Sequence, residues 1–217
     1  MLTRRQRIEL LEQHLSETRK LQLKRVLALR TRRLTVVLEN IYHPENANAV
    51  LRTAECVGLQ EVHLIQEKFA YKYNRNIARG AGKWLEIHES DKGLELLMGL
   101  QKRGFALVVT SAAPGSLSPE ELPLDRPIAL IFGNESVGVT VAAEALADYR
   151  VHIPMQGFTE SFNIAVSSGI LLYALAHRIR SGTSESWMLS PDEQEALYEE
   201  WLKKAIKFSG PLLEKPG

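Results

Sequence analysis

Residues 128 to 180 read IALIFGNESVG, then after a short interval VHIPMQGFTESFNIAVSSGILLYAL. Two apolar strands each end in a loop of Gly, Asn, Glu and Ser, and the second loop runs straight into a long apolar helix. In an open α/β sheet, ligands sit beyond the carboxyl ends of strands, where loop backbone groups converge. The two loops therefore predict one shared binding site. Gly133, Asn134, Glu135 and Ser136, then Gly157, Thr159, Glu160, Ser161 and Asn163, are mostly small and let backbone amides and carbonyls approach a flat ligand. Taken singly, either loop is equally well an ordinary turn with a helix cap at Ser136 or Ser161.

Apolar runs alternate with helical patterns along the rest of the chain. Strands are expected over 34–41, 61–66, 84–89, 105–112, 128–133 and 150–155, with helices near 47–57, 74–80, 92–102 and 137–147. That βαβ alternation predicts an α/β fold, a mainly parallel sheet flanked by helices, over residues 34–180. Both ends look like helical extensions. Residues 1–33 are basic, and 181–217 begin with the linker SGTSES. Ser190 as N-cap, Pro191 at the first helical position and Glu193 closing a capping box then open a final helix. Leu197, Trp201, Leu202, Ala205 and Ile206 give it an apolar face to dock on the body or on a partner subunit, and Gly210 with Pro211 should end it.

The composition, 45% apolar and 24% charged over 217 residues, suits one sizeable domain with appendages. No run has the form of a signal peptide or membrane span, and Cys56 is the only cysteine, so the chain reads as cytoplasmic, without disulfides. His43, His63, His88, His152 and His177 show no paired ligand spacing, and no metal is expected. Nor is there a GxxxxGK[ST] loop; the one GxG, in RGAGKW, lacks a third glycine and a strand-to-helix setting. Charge is lopsided. Residues 1–33 hold ten Lys or Arg and three Glu, while the remainder is net acidic. In RKLQLKRVLALRTRR a helix would press leucines onto the body and point cations outward, as phosphate binding needs, although a charge run is also simply a solvated face.

A third segment, NIYHPENANAVLRTAECVGL, joins the two loops. Pro44 and Asn46 should stop the first strand and start a helix with Val50, Ala54 and Val57 on its apolar face and Asn48, Arg52 and Glu55 on the other. Arg52 there is equally a surface residue paired with Glu55.

In this order and at these separations, NANAVLRTAECVG, IFGNESVG and IPMQGFTESFNIAVSSGILLYAL resemble the three motifs of the SpoU branch of SPOUT RNA methyltransferases, over residues 34–180. The leader before the first motif, the variant FTESFN and the short basic extensions are most similar to the branch members that act on the D-loop guanosine at tRNA position 18. The resemblance implies S-adenosylmethionine as cofactor, transfer of its methyl group to a ribose 2′-oxygen of tRNA, a C-terminal trefoil knot and a homodimer. It places Asn46, Arg52, Glu135, Ser161 and Asn163 in the catalytic site, and Thr110, Gly133, Glu135, Ile153, Met155, Ser161 and Asn163 around the cofactor. Dimer contacts would use the helix after Asn46 and the helix from Asn163 to Arg180, where Ser167, Ser168 and Gly169 permit close approach.

A ribose hydroxyl is a poor nucleophile, so such a site must align it with the methyl donor and help it lose a proton. Arg52 is the implied agent, working with the substrate phosphate. A guanidinium keeps its proton below about pH 12, so an electrostatic role, gripping the phosphate and stabilising the developing alkoxide, stands beside literal proton abstraction. Glu135 and Asn46 then position Arg52 and the loops, while Ser161 and Asn163 orient the reacting groups. Phosphate contacts are assigned to Arg4, Arg5, Arg7, Lys20, Lys24, Arg25 and Arg33, with Arg178 and Arg180 near the other end. Ribosomal RNA or another tRNA site as substrate, and an RNA-binding protein without activity, are the rival readings.

Overall fold

The structure, a computed structural model, describes residues 2–67, 80–182, 187–207 and 209–214. In chain order its first elements are α1 (Arg4–Glu12), α2 (Glu17–Leu27), β1 (Leu34–Glu39), α3 (Pro44–Cys56), β2 (Glu61–Ile65), β3 (Glu86–Ser90), α4 (Gly93–Lys102) and β4 (Ala106–Thr110). There follow β5 (Ile128–Phe132), α5 (Val141–Leu146), β6 (Tyr149–Val151), α6 (Ile164–Ser181), α7 (Pro191–Ala205) and α8 (Ser209–Glu214). They form two compact units, one of Arg32–Trp187 and one of Met1–Thr31 with Met188–Gly217.

The larger unit is built on a sheet of order β3-β2-β1-β5-β4-β6, parallel at every pairing. Strand alternation sends Val36 and Leu38 of β1, Val108 of β4 and Ile128, Leu130 and Phe132 of β5 into one core layer with α3 and α6. Val37, Leu107, Val109, Ala129 and Ile131 enter the opposite layer with Leu97, Leu100 and Ala143 of α4 and α5. Being covered on both faces, these strands are continuously apolar rather than alternating. The order reverses between β1 and β5, so the loops that leave β1, β5, β4 and β6 converge at one end of the sheet.

Three elements differ from expectation. The last strand stops at Val151, where its pairing with β4 ends at Thr110 and its other side meets only a single bridge to Leu117, and 152–163 follow as a loop. The helix expected over 137–147 starts only at Val141: Asn134 and Gly138 exchange two 2.9 Å backbone bonds, Gly138 turns at φ +74°, and Thr140, not Ser136, is the cap. Ser161 likewise yields to Asn163 as cap of α6. The helix expected over 74–80 lies, but for Gly80, outside the described residues.

In the smaller unit the two ends of the chain meet, α1 and α2 packing on α7. Thr3 with Gln6 and Ser190 with Glu193 form capping boxes on α1 and α7, and Pro191 occupies the first turn. Leu11, Leu23, Leu27, Leu197, Trp201 and Leu202 are buried. Arg7 holds Glu199 through two hydrogen bonds of 2.7 and 2.9 Å, and these, against burial and with Lys203, bring the Glu199 carboxyl down to about 2. The terminal helix thus docks on the N-terminal helices. It ends at Ala205, before Gly210 and Pro211, which fall within α8, where a first turn needs no proline N–H.

The picture of leucines inward and cations outward in the basic run fails in part. Leu21 is 66% and Leu29 51% exposed: Leu21 lies two residues from the buried Leu23, and the helix ends at Leu27, which takes Leu29 out of phase. Arg30 stacks over the Trp201 ring at 5.2 Å, and Arg32 makes two 2.7 Å bonds to Glu86.

Candidate active site

β1 is followed by Asn40, whose positive φ of +52° turns the chain aside while its side chain accepts from the Glu67 amide at 3.0 Å. Pro44 then opens α3 and brings Asn46 to the sheet end. Opposite, β5 ends in Gly133, where a Cβ would lie 2.1 Å from the backbone of Gly138, so only glycine allows the hairpin to fold back this closely. Asn134 fixes that hairpin: its amide donates to the Asn40 carbonyl at 2.9 Å and its oxygen accepts from Ser136 N. The hairpin is also tied to β1, because the buried Glu39 carboxylate takes the backbone N–H and hydroxyl of Thr140, both at 2.7 Å.

These constraints present Glu135 to the loop after β1. Its carboxylate accepts from Tyr42 N at 2.9 Å, His43 N at 3.2 Å and Asn46 Nδ2 at 2.8 Å. Partial burial works against its charge, but the Asn46 amide and the backbone N–H donors outweigh that and hold its pKa below the usual carboxylate value. Asn163 extends the chain, with its Nδ2 donating to Asn46 Oδ1 at 3.2 Å and its Oδ1 capping α6 through Ala165 N at 2.8 Å. Three residues from three separate segments thus form one polar relay, and the amide of Asn46 is oriented by both neighbours.

Beside the relay lies a cavity of about 400 Å³ at the carboxyl ends of β4, β5 and β6. Thr110, Gly133, Glu135, Ile153, Met155, Ser161 and Asn163, the residues expected around the cofactor, all line it. His152 lines it too, and its Nδ1 is buried without a partner among the described residues. The lining mixes apolar wall, from Phe132, Val151 and Leu171, with strand-end backbone and small polar side chains. Such a surface suits a flat ligand with polar edges.

Arg52 is exposed on α3 and does not line this cavity, so the structure gathers Asn46, Glu135, Ser161 and Asn163 but leaves Arg52 apart. Asn48, expected on the polar face of α3 with Arg52, is only 5% exposed, and neither end of its amide has a partner among the described residues. The cause is packing: α3 packs against α6 as well as into the core layer on the sheet, which widens its buried arc to take in Asn48 with Ala47, Val50 and Leu51. Tyr42, Asn40, His152 and the Glu39–Thr140 tie escaped the sequence reading. Only Asn40, a turn-forming residue at a strand end, carries a local signal.

Most of the cations assigned to RNA are engaged within the chain. Arg4 and Arg7 face Glu199, Arg5 pairs with Glu9, Lys20 with Glu17 and Lys24 with Glu12. Arg33 donates to the Leu124 carbonyl, Arg178 to those of Pro119 and Leu122, and Arg180 to that of Val57. Arg25 is exposed, with no ion pair among the described residues. Among the described residues no helix is long and apolar enough to cross a membrane, and no group of His, Cys, Asp or Glu is placed to hold a metal ion.

A parallel sheet with a cavity at its carboxyl end, walled by the segments that follow β4, β5 and β6, defines the class; the family follows from comparison. The model of the SpoU rRNA Methylase family matches residues 33–173, and the chain belongs to this family. A tRNA (guanosine(18)-2′-O)-methyltransferase of Borreliella burgdorferi is 33% identical over 93% of this chain and 92% of its own length. The crystal structure of an A. aeolicus TrmH/SpoU tRNA modifying enzyme superposes with a TM-score of 0.78 at 30% identity, covering 88% of this chain and 98% of that one. The SpoU methyltransferase AviRb from Streptomyces viridochromogenes, in complex with the cofactor AdoMet, shares the fold at 24% identity and a TM-score of 0.63, covering 72% of this chain and 64% of that one.

Proposed function

We infer that the protein transfers a methyl group from S-adenosylmethionine to the ribose 2′-oxygen of guanosine 18 in the D-loop of tRNA. The observation that carries this is the adjacency of the 400 Å³ cavity and the Asn163–Asn46–Glu135 relay. The relatives, aligned over nearly the whole chain, give the substrate.

The residues present fit the methyl donor: backbone at three strand ends, the Ser161 hydroxyl, the Asn163 amide and the Nδ1 of His152, which has no partner among the described residues, offer a purine and an amino acid their polar contacts. When bound, it supplies an electrophilic methyl group. Glu135 stays ionised and fixes Asn46, so the Asn46 amide holds a constant orientation beside the cavity. Ser161 and Asn163 orient the incoming hydroxyl, and Arg52 grips the substrate phosphate and stabilises the developing alkoxide as the hydroxyl proton passes to solvent water. Because Arg52 stands apart from the relay, this reading has RNA drawing it in, or a second subunit supplying it. A homodimer through α3 and α6 belongs to the same reading, supported by Val166, Ile170 and Tyr173, which α6 leaves 48%, 39% and 68% exposed along one stripe. So does a trefoil knot within 128–180. Phosphate contacts fall to Arg25 and to surface cations that can exchange a carboxylate for phosphate.

Titration calorimetry with S-adenosylmethionine, paired with methyl transfer to an unmodified tRNA transcript, tests this. Cofactor binding with transfer to a ribose supports it; binding with methylation of a base instead refutes it.

A further inference from the structure

A second cavity, of about 600 Å³, opens along the same hairpin. Asn134 and Gly138 line both cavities, so the 133–140 hairpin is their common wall. The second is walled by Tyr42, Val137, Val139 and Val141, of which Tyr42, Val137 and Val141 are 59%, 77% and 87% exposed. Apolar surface left open around a cavity gains nothing in folding and is available to a flat, apolar-faced ligand.

The polar side is equally specific. Glu39 also lines the cavity, yet it is 2% exposed. Its oxygens each take one hydrogen bond, from the backbone N–H and hydroxyl of Thr140. A carboxylate has about four acceptor sites, so two remain. Two adjacent acceptors between apolar walls match the Watson–Crick edge of guanine, whose N1–H and N2 amino group are adjacent donors; adenine would set its N1 lone pair against the carboxylate. A nucleotide that reacts in a pocket is turned out of its stack and read on this edge between apolar side chains.

We propose that this second cavity receives the guanine base of the target nucleotide, its faces against Tyr42 and the valines and its N1–H and N2 amino group on Glu39. The ribose then falls where the two cavities adjoin, beside Asn46 and Glu135, with its 2′-oxygen toward the first cavity. This rests on the reading of the protein as a guanosine 2′-O-methyltransferase and adds how guanine is chosen.

Substitution of Glu39 would also free Thr140 and the hairpin, so the test alters the substrate and the apolar walls instead. Wild type is assayed on tRNA transcripts carrying guanosine or inosine at the methylated position; inosine lacks only the N2 amino group. Val141→Trp crowds the cavity, Tyr42→Leu removes the ring and Tyr42→Phe restores it. Inosine should lower kcat/KM about tenfold, the scale of one lost base-edge contact. Val141→Trp and Tyr42→Leu should each raise the KM for tRNA about tenfold with S-adenosylmethionine affinity unchanged, and Tyr42→Phe should behave as wild type. Equal turnover of guanosine and inosine, together with unchanged KM in Val141→Trp, overturns the proposal while leaving the methyltransferase reading intact. A wild type that methylates no guanosine in tRNA overturns both.

Discussion

The side-chain amide of Asn46 donates to the carboxylate of Glu135 at 2.8 Å, joining the first helix after β1 to the loop after β5. The same amide's oxygen receives Asn163 Nδ2 at 3.2 Å, so Asn46 cannot rotate without breaking a contact to a different segment. On the proposed reading the relay positions the site, and its parts can be tested one at a time.

Asn163 does two jobs. Asn163→Asp keeps the oxygen that caps α6 but removes the donor to Asn46; Asn163→Ala removes both. The alanine variant should lose about 1 kcal/mol of stability, the worth of an N-cap, whereas the aspartate variant should unfold at the same urea concentration as wild type. Both should lose methyl transfer. An active aspartate variant would show that the donor to Asn46 is dispensable.

Arg52 is exposed and stands apart from the relay, and the proposed reading ties its role to bound substrate. Arg52→Lys keeps the charge and loses the two-pronged grip on phosphate. Its kcat should fall about a hundredfold with cofactor affinity unchanged. Turnover within a factor of about two of wild type would remove Arg52 from the chemistry.

Glu199 is held well below its unfolded value, so its ionised form stabilises the terminal unit wherever the unfolded chain is also ionised. Glu199→Gln should unfold earlier than wild type at neutral pH. The gap should close as pH falls from 4.5 toward about 2, where the wild-type carboxylate takes up its proton. Urea midpoints followed by Trp201 fluorescence across this range check it; a gap independent of pH would assign the loss to packing.

Among the described residues Arg25 has no carboxylate to release, unlike Arg7, whose guanidinium is committed to Glu199. Arg25→Gln should weaken tRNA binding and reduce the salt slope of log K by about one. Filter binding at several salt concentrations reads this. A larger effect on binding from Arg7→Gln, with the terminal unit still folded, would contradict it.

The strands were legible because burial on both faces writes a continuous apolar run, as in IALIF, and much of the cavity lining was legible because two of the three motifs, IFGNESVG and IPMQGFTESFNIAVSSG, wall it. What escaped depends on pairing across the chain. Glu39 and Thr140 lie 101 residues apart, and Arg7 and Glu199 lie 192 apart; neither pair has a local pattern. Asn48 was misplaced for the same reason, since helical periodicity shows one apolar stripe but not that a second helix will cover the flank. Ser136 and Ser161 are good caps by composition and lose to Thr140 and Asn163 because backbone geometry decides where a helix begins.

The most direct test of the account is the position of the methyl group. Unmodified tRNA transcripts and ribosomal RNA are incubated with labelled S-adenosylmethionine and the protein, and the products are mapped by nuclease digestion and mass spectrometry. The expected product is 2′-O-methylguanosine at position 18 of tRNA, with no label in ribosomal RNA. Label confined to ribosomal RNA, or on a base rather than a ribose, would contradict it.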